Sequence, residues 1–258
     1  LTRYLFGDSD LAGRRLKILA DVYADSTRSF VIESVQKKPR LFLDLGCGPG
    51  HTTLMLADAL ACEQAAGLDN SRHFISLAQK SATDRVFFHL HDVTKIPFPT
   101  GPADVLFCRF LMTHLDKPQM VILKWATQLN PRALLLMEET EDILTTNKAF
   151  IVYIGMVEAL LKAQSRNLYV GPILDKMKMP DSLIKVKSMV KRLAVPTQKA
   201  ALLFSLNIQT WKKEPIVLEN YPSSFVEDLE ESLKQMSMKD GAETDIEWNL
   251  RQIVLERG

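Results

Sequence analysis

"LFLDLGCGPGHTT", residues 41–53, decides the fold. A short apolar run, "LFLDL", reads as a strand. Gly46, Gly48 and Gly50 follow at alternate positions, and a helical pattern opens at Thr52. Gly46 and Gly48 would supply positive φ and a close backbone approach, and Gly50 would let the helix pack near the strand. Such a loop stands at the carboxyl end of a strand, where open α/β sheets bind their ligands. The spacing narrows the ligand. A P-loop requires lysine after its last glycine, whereas here His51 and Thr52 follow. A dinucleotide loop requires G-x-G-x-x-G; here the third glycine comes one residue early and His51 holds the sixth place. Asp44, two residues before Gly46, completes D-x-G-x-G-x-G, which suits a nucleoside-like ligand without phosphate.

Outward from this loop, short apolar runs alternate with helical segments. Strands are expected at 41–45, 64–69, 86–92, 104–109 and 133–139, with helices at 52–60, 71–80 and 117–128. Apolar strands separated by helices form a parallel sheet covered on both faces. Right-handed crossovers make it a doubly wound, Rossmann-like α/β sheet. Residues 1–37 read as an N-terminal helical arm that ends before Pro39. After residue 140 the rhythm changes. Residues 143–166 read as one long amphipathic helix and 169–180 as a loop. A strand at 185–195, helices through Trp211 and over 223–237, and a last strand at 248–257 complete the pattern. The expected organisation is a core over 38–139 and 185–258, with a helical lid insert at 140–184.

Composition sets the class. The 258 residues are 47% hydrophobic and 24% charged, as in a soluble globular protein. A net charge of +1 gives no support for a polyanionic partner, so nucleic acid is not expected. The apolar stretch "AFIVYIGMVEALL" (149–161) is too short for a membrane span and Glu158 interrupts it. Cys47, Cys62 and Cys108 are odd in number and show no C-x-x-C spacing, so neither a metal site nor a disulfide framework is indicated. With no basic-then-apolar leader, a cytoplasmic location is the default.

Two acids extend the glycine loop into a pocket. Asp69 ends the second strand in "GLDNS", 19 residues after Gly50, where a carboxylate can accept both ribose hydroxyls. Asp92 ends the third in "HLHDVTKIPF", beside apolar Val93, where an acid can meet an adenine amino group. One such acid is weak; two at successive strand ends with the loop are coherent.

The pieces "LFLDLGCGPG", "AAGLDNS", "HLHDVTKIPFPTGPADVLFCRFLMTHLDKP" and "ATQLNPRALLLMEE" together resemble the class I S-adenosylmethionine-dependent methyltransferases. The resemblance implies a seven-stranded sheet whose last strand, here "RQIVLER", is antiparallel. It also implies S-adenosylmethionine as cofactor. The methionine part would lie on the loop Asp44, Gly46, Cys47 and Gly48, the ribose on Asp69 with Asn70 beside it, and the adenine on Asp92 and Val93. The backbone of Cys108 and Arg109 would approach the methionine amino group. The opening "YLFGDSDLAGRRL" is similar to a subgroup start in which a tyrosine and an arginine close over the cofactor, here Tyr4 and Arg15.

Other residues carry blander readings. His114 in "LMTHL" reads as framework of the loop and helix after the fourth strand. Glu138, Glu139, Glu141 and Asp142 read mostly as a solvated turn or a helix cap, with some facing substrate. Tyr153 reads as packing, and Tyr169 stays open. The expected activity is in-line methyl transfer to a small-molecule acceptor, with no dedicated acid or base required. A non-catalytic cofactor-binding or regulatory protein is the alternative. A nucleic-acid amino-methyltransferase is disfavoured because "CRFLM" replaces the Asn/Asp-Pro-Pro-aromatic motif. The glycine spacing disfavours an NAD-dependent oxidoreductase.

Overall fold

The computed structural model describes residue 7 and residues 9–239, 241 and 243–258. Tyr4 lies outside these residues. The chain divides into two compact units. One comprises the described residues up to Val22 with Asp142–Leu168 and Arg192–Asn249; the other comprises Tyr23–Glu141, Tyr169–Lys191 and Leu250–Gly258.

The second unit holds most of the sheet. Strands β1 (Leu41–Leu45), β2 (Gln64–Asp69), β3 (Val86–Leu90), β4 (Ala103–Arg109), β5 (Leu129–Thr145), β6 (Leu183–Lys191) and β8 (Ile246–Arg257) run in the order β3-β2-β1-β4-β5-β8-β6. β1 pairs parallel with β2 and β4, β2 with β3, and β4 with β5, whereas β6 and β8 are antiparallel. The sheet is thus mostly parallel, as the alternation of apolar runs implied, and ends in antiparallel strands, where the resemblance implied one. Strand order reverses between β1 and β4, which makes the loop after β1 the switch point where such sheets bind ligands.

Sequence explains the elements nearest that point. In β1 every residue after Leu41 is buried, the signature of a strand covered on both faces. Helix α2 (His51–Ala59) starts directly from left-handed Gly50. Helix α3 (Arg72–Ala78) starts where the Ser71 hydroxyl accepts the Phe74 amide, 3.1 Å. Helix α4 (Pro118–Ala126) opens on a proline, whose missing N–H is no loss there. Two apolar layers cover the sheet. Leu43, Leu45, Leu106, Cys108, Leu135 and Met137 face the layer of Trp125, whose indole donates to the Val93 carbonyl, 2.8 Å. Phe42, Val105, Phe107 and Leu136 face the layer of Phe30, Val31 and Leu56.

Several boundaries depart from the sequence pattern. β5 runs through Thr145, and helix α5 (Lys148–Ala163) begins only after Asn147, whose side-chain oxygen caps the Ala149 and Phe150 amides. The expected loop at 169–180 contains the short helix α6 (Gly171–Lys176). The expected strand at 185–195 is β6 followed by the two-residue β7 (Ala194–Val195), which pairs with β8.

The other unit is built on α5 with α7 (Thr197–Trp211), the short α8 (Pro215–Asn220) and α9 (Ser223–Ser237). Its core stacks Tyr153 on Phe204, ring centroids 4.0 Å apart, beside Phe150, Trp211 and Trp248. Asn207 donates to the Tyr153 hydroxyl at 2.5 Å, so Tyr153 packs, as its sequence context suggested. Among the described residues no helix is long and apolar enough to cross a membrane.

Candidate functional site

The three glycines of the β1–α2 loop all take positive φ: 72° at Gly46, 54° at Gly48 and 84° at Gly50. A side chain at Gly46 would place Cβ 2.8 Å from Leu111 Cδ1, and one at Gly50 would meet the Phe88 ring at 2.6 Å. Both positions combine a left-handed backbone with a close neighbour, so glycine is required twice over. The loop is tied to β2: the Gly46 and Cys47 amides both donate to the Leu68 carbonyl, 2.7 and 3.1 Å.

Asp69 completes that tie. Its Oδ2 accepts the Gly48 amide at 2.9 Å and its Oδ1 the Ser71 amide at 2.8 Å. One carboxylate thus joins the glycine loop to the start of α3. Exposed Asn70 follows it. Asp92 lies just past β3, where its Oδ1 accepts both the amide and the hydroxyl of Thr94, 2.9 and 2.7 Å. Burial opposes its ionisation, but those bonds with Lys95 and His91 outweigh it and hold Asp92 below the usual carboxylate range. Val93 is buried in the core.

Under the loop, one face of the sheet carries a row of polar groups: Asp44 on β1, Arg109 on β4, Glu138 on β5 and Gln252 on β8. Thr53 of α2 donates to Asp44 Oδ2 at 2.6 Å. Burial pushes the Asp44 carboxyl up to about 7, against the Thr53 bond and the Arg109 charge that favour its ionised form. Arg109 donates to the Thr27 and Thr52 hydroxyls, 2.7 and 2.8 Å, and its guanidinium lies 5.9 Å from the Tyr23 ring centre. Glu138 accepts the Thr27 hydroxyl and the Gln252 amide, both at 2.6 Å. Thr27 belongs to helix α1 (Asp10–Ser34), so that helix is keyed to the sheet through a buried polar group.

The opposite face carries Glu139, 1% exposed. Its Oε1 accepts the Leu111 and Met112 amides, both at 2.8 Å, and so fixes the turn after β4 whose Leu111 side chain packs on Gly46. Burial pushes its carboxyl up to about 8 despite those two N–H bonds. The expected solvated turn at 138–142 is therefore corrected. The strand continues, and Glu138 and Glu139 are interior groups held by donors from α1, β8 and the post-β4 turn. His114 sits in the 3-10 turn Met112–His114.

Eleven of the expected cofactor residues are described, and ten lie in the sheet unit: Asp44, Gly46, Cys47, Gly48, Asp69, Asn70, Asp92, Val93, Cys108 and Arg109. Cys47 and Cys108 are buried and free, as is Cys62. Arg15 belongs to the other unit, 7% exposed in α1, where its charge favours ionisation of the Tyr153 hydroxyl that burial opposes.

Residues 42–132 match the family described as "Methyltransferase domain". A curated relative, trans-aconitate 2-methyltransferase of Rhizobium etli, is 33% identical over 81 residues, covering 30% of this chain and 31% of that protein. The chain spans about a third of the length of the first curated relatives it matches. Among solved structures, coclaurine N-methyltransferase bound to N-methylheliamine and S-adenosylhomocysteine superposes with a TM-score of 0.55 at 14% identity, covering 100% of this chain and 77% of that one. The [4+2]-cyclase SpnF superposes at 0.54 and 14% identity, over 91% of this chain and 81% of its own. At those identities the structures show the fold alone. Residues 42–132 are therefore similar to a methyltransferase domain, and the chain has the fold of the S-adenosylhomocysteine-bound methyltransferase it superposes on.

Proposed function

We propose that the protein transfers the methyl group of S-adenosylmethionine to a small-molecule acceptor. One observation carries the reading: Asp69 binds the Gly48 amide with one oxygen and the Ser71 amide with the other, joining a phosphate-free glycine loop to a carboxylate at the next strand end. Those residues suit the cofactor. The loop backbone would hold the methionine part, Asp69 with Asn70 the ribose, Asp92 and Val93 the adenine, and the backbone of Cys108 and Arg109 the amino group. We extend the set to Tyr4 and Arg15 by the resemblance of the N-terminal segment.

When bound, the cofactor supplies an electrophilic methyl group on sulfonium sulfur. The chain's own task is to orient acceptor and donor in line and to exclude water, and positioning of that kind supplies much of such a rate enhancement. The relatives named for trans-aconitate and coclaurine support an acceptor of small-molecule size. The +1 net charge and "CRFLM" after β4 support the same choice over nucleic acid. Free, buried Cys47, Cys62 and Cys108 support a cytoplasmic location.

The cyclase among the fold neighbours favours a second reading, in which the fold holds a ligand without methyl transfer. Incubation of the protein and a cell extract with methyl-labelled cofactor separates the two. A labelled small molecule in the mass spectrum supports the transferase. Protection of the fold by the cofactor without labelled product leaves the binding protein, and protection by NAD instead sinks both.

A further inference from the structure

Glu139 is an uncommon group: a carboxyl 1% exposed, with one oxygen doubly occupied and the other empty. Among the described residues nothing donates to its Oε2, which is itself buried. An orphaned buried acceptor is costly and rare unless a ligand completes it. Its neighbour Glu138 shows the contrast, since it takes Thr27 and Gln252 and lies in the field of Arg109. Arg109 itself is committed to Thr27 and Thr52.

Position gives the orphan a meaning. Glu139 stands within β5, one residue past the position opposite the carboxyl end of β4, and its Oε1 holds the turn that presses Leu111 onto Gly46. The titratable groups whose charges meet it are Glu138 on its own strand and Cys108 on β4, while Arg251 of β8 is bound to Glu141. Among the described residues none supplies the missing partner, and a cationic donor from a ligand would complete the ionised form of this carboxyl.

We infer that Glu139 Oε2 receives a cationic group from the amino-acid end of the cofactor, so that this carboxyl both positions the turn over Gly46 and binds the ligand. The inference rests on the cofactor reading above. Two cations sit at that end, the α-ammonium and the sulfonium. The ammonium, which offers N–H donors, completes an empty acceptor best. Binding then draws the proton from the Glu139 carboxyl to the buffer. The carboxyl holds its proton up to about pH 8 when no cation is near, so ligand affinity rises with pH through that region.

Calorimetry in two buffers of different ionisation enthalpy counts the proton. At pH 7 the wild-type protein should release close to one proton on binding S-adenosylhomocysteine, and none on binding its deaminated analogue. Glu139→Gln, which keeps a carbonyl for the Leu111 and Met112 amides, should abolish the release and weaken S-adenosylhomocysteine at least tenfold at pH 8.5. Its melting temperature reports whether the fold is kept, and the wild-type proton count does not depend on the variant. Release with S-adenosylmethionine but not with S-adenosylhomocysteine supports the inference with sulfonium as the cation. Binding of S-adenosylhomocysteine with no proton released, and equal affinity for the deaminated analogue, overturns it while leaving the cofactor reading intact. Failure of the wild-type protein to bind either cofactor form overturns both.

Discussion

Asp69 serves the fold and the candidate site with the same two oxygens, and a substitution can separate the roles. Asp69→Ala removes two charge-assisted acceptors, one for Gly48 and one for Ser71. Hydrogen bonds to a charged group are worth about 1.5–3 kcal/mol each, so stability in urea should fall by an amount of that order. Affinity for S-adenosylhomocysteine should fall about tenfold or more as the ribose loses its acceptor. Lost stability with unchanged affinity would leave Asp69 a structural tie alone. Asp44 makes a second residue-scale prediction. Its carboxyl sits at about 7 in the folded protein against 3.8 when free, so the folded state holds the proton more tightly. Its contribution is complete below about pH 4 and is lost as pH rises through 7. Urea titrations from pH 4 to 8 should therefore show wild-type stability falling with pH relative to Asp44→Asn. A parallel course for the two proteins would remove the burial argument.

At the scale of elements, the strand-loop-helix unit around Gly50 is the most sensitive. Gly50→Ala combines a φ of 84° with a Cβ 2.6 Å from the Phe88 ring. Left-handed strain and overpacking together should cost roughly 2–4 kcal/mol, read as a lower urea midpoint. Asn147→Ala, which strips the cap from α5, should cost about 1 kcal/mol by the same measurement. These elements also show what the sequence makes legible. β1 and β2 match their apolar runs residue for residue, because an unbroken buried strand bounded by Pro39, Gly46 and Asp69 admits no other period. Asp69 and Asp92 were readable as strand-end acids for the same reason. Four acids within 138–142 read as surface, yet two are interior: Glu138 is held by Thr27 and Gln252, more than a hundred residues away, and Glu139 by the Leu111 and Met112 amides of the turn after β4. The only local signal was an apolar run, "ALLLM", continuing into "EETEDILT" without a glycine or proline to stop it. The α5 boundary depended on a side-chain cap and α6 on a six-residue helix, both too local for a periodicity to reveal.

For the whole molecule, the division into two units gives the proposed cofactor site a location. The glycine loop, Asp69, Asp92, Arg109 and Glu139 all lie in the unit of Tyr23–Glu141, whereas Arg15 lies in the other. A ligand that binds only the folded state stabilises it by about 2.7 kcal/mol at a hundred times its dissociation constant. For a unit of this size that corresponds to a rise in melting temperature on the order of 5–10 °C. S-adenosylhomocysteine at that concentration should raise the transition that contains the sheet. Hydrogen exchange should slow most at the amides of Gly46, Cys47, Gly48 and Leu111, which the loop and turn already direct to Leu68, Asp69 and Glu139. Two resolved transitions would make the test sharper, since the sheet unit should then move further than the helical one. Protection confined to α5, α7 and α9 would move the ligand off the glycine loop, whatever the family of residues 42–132.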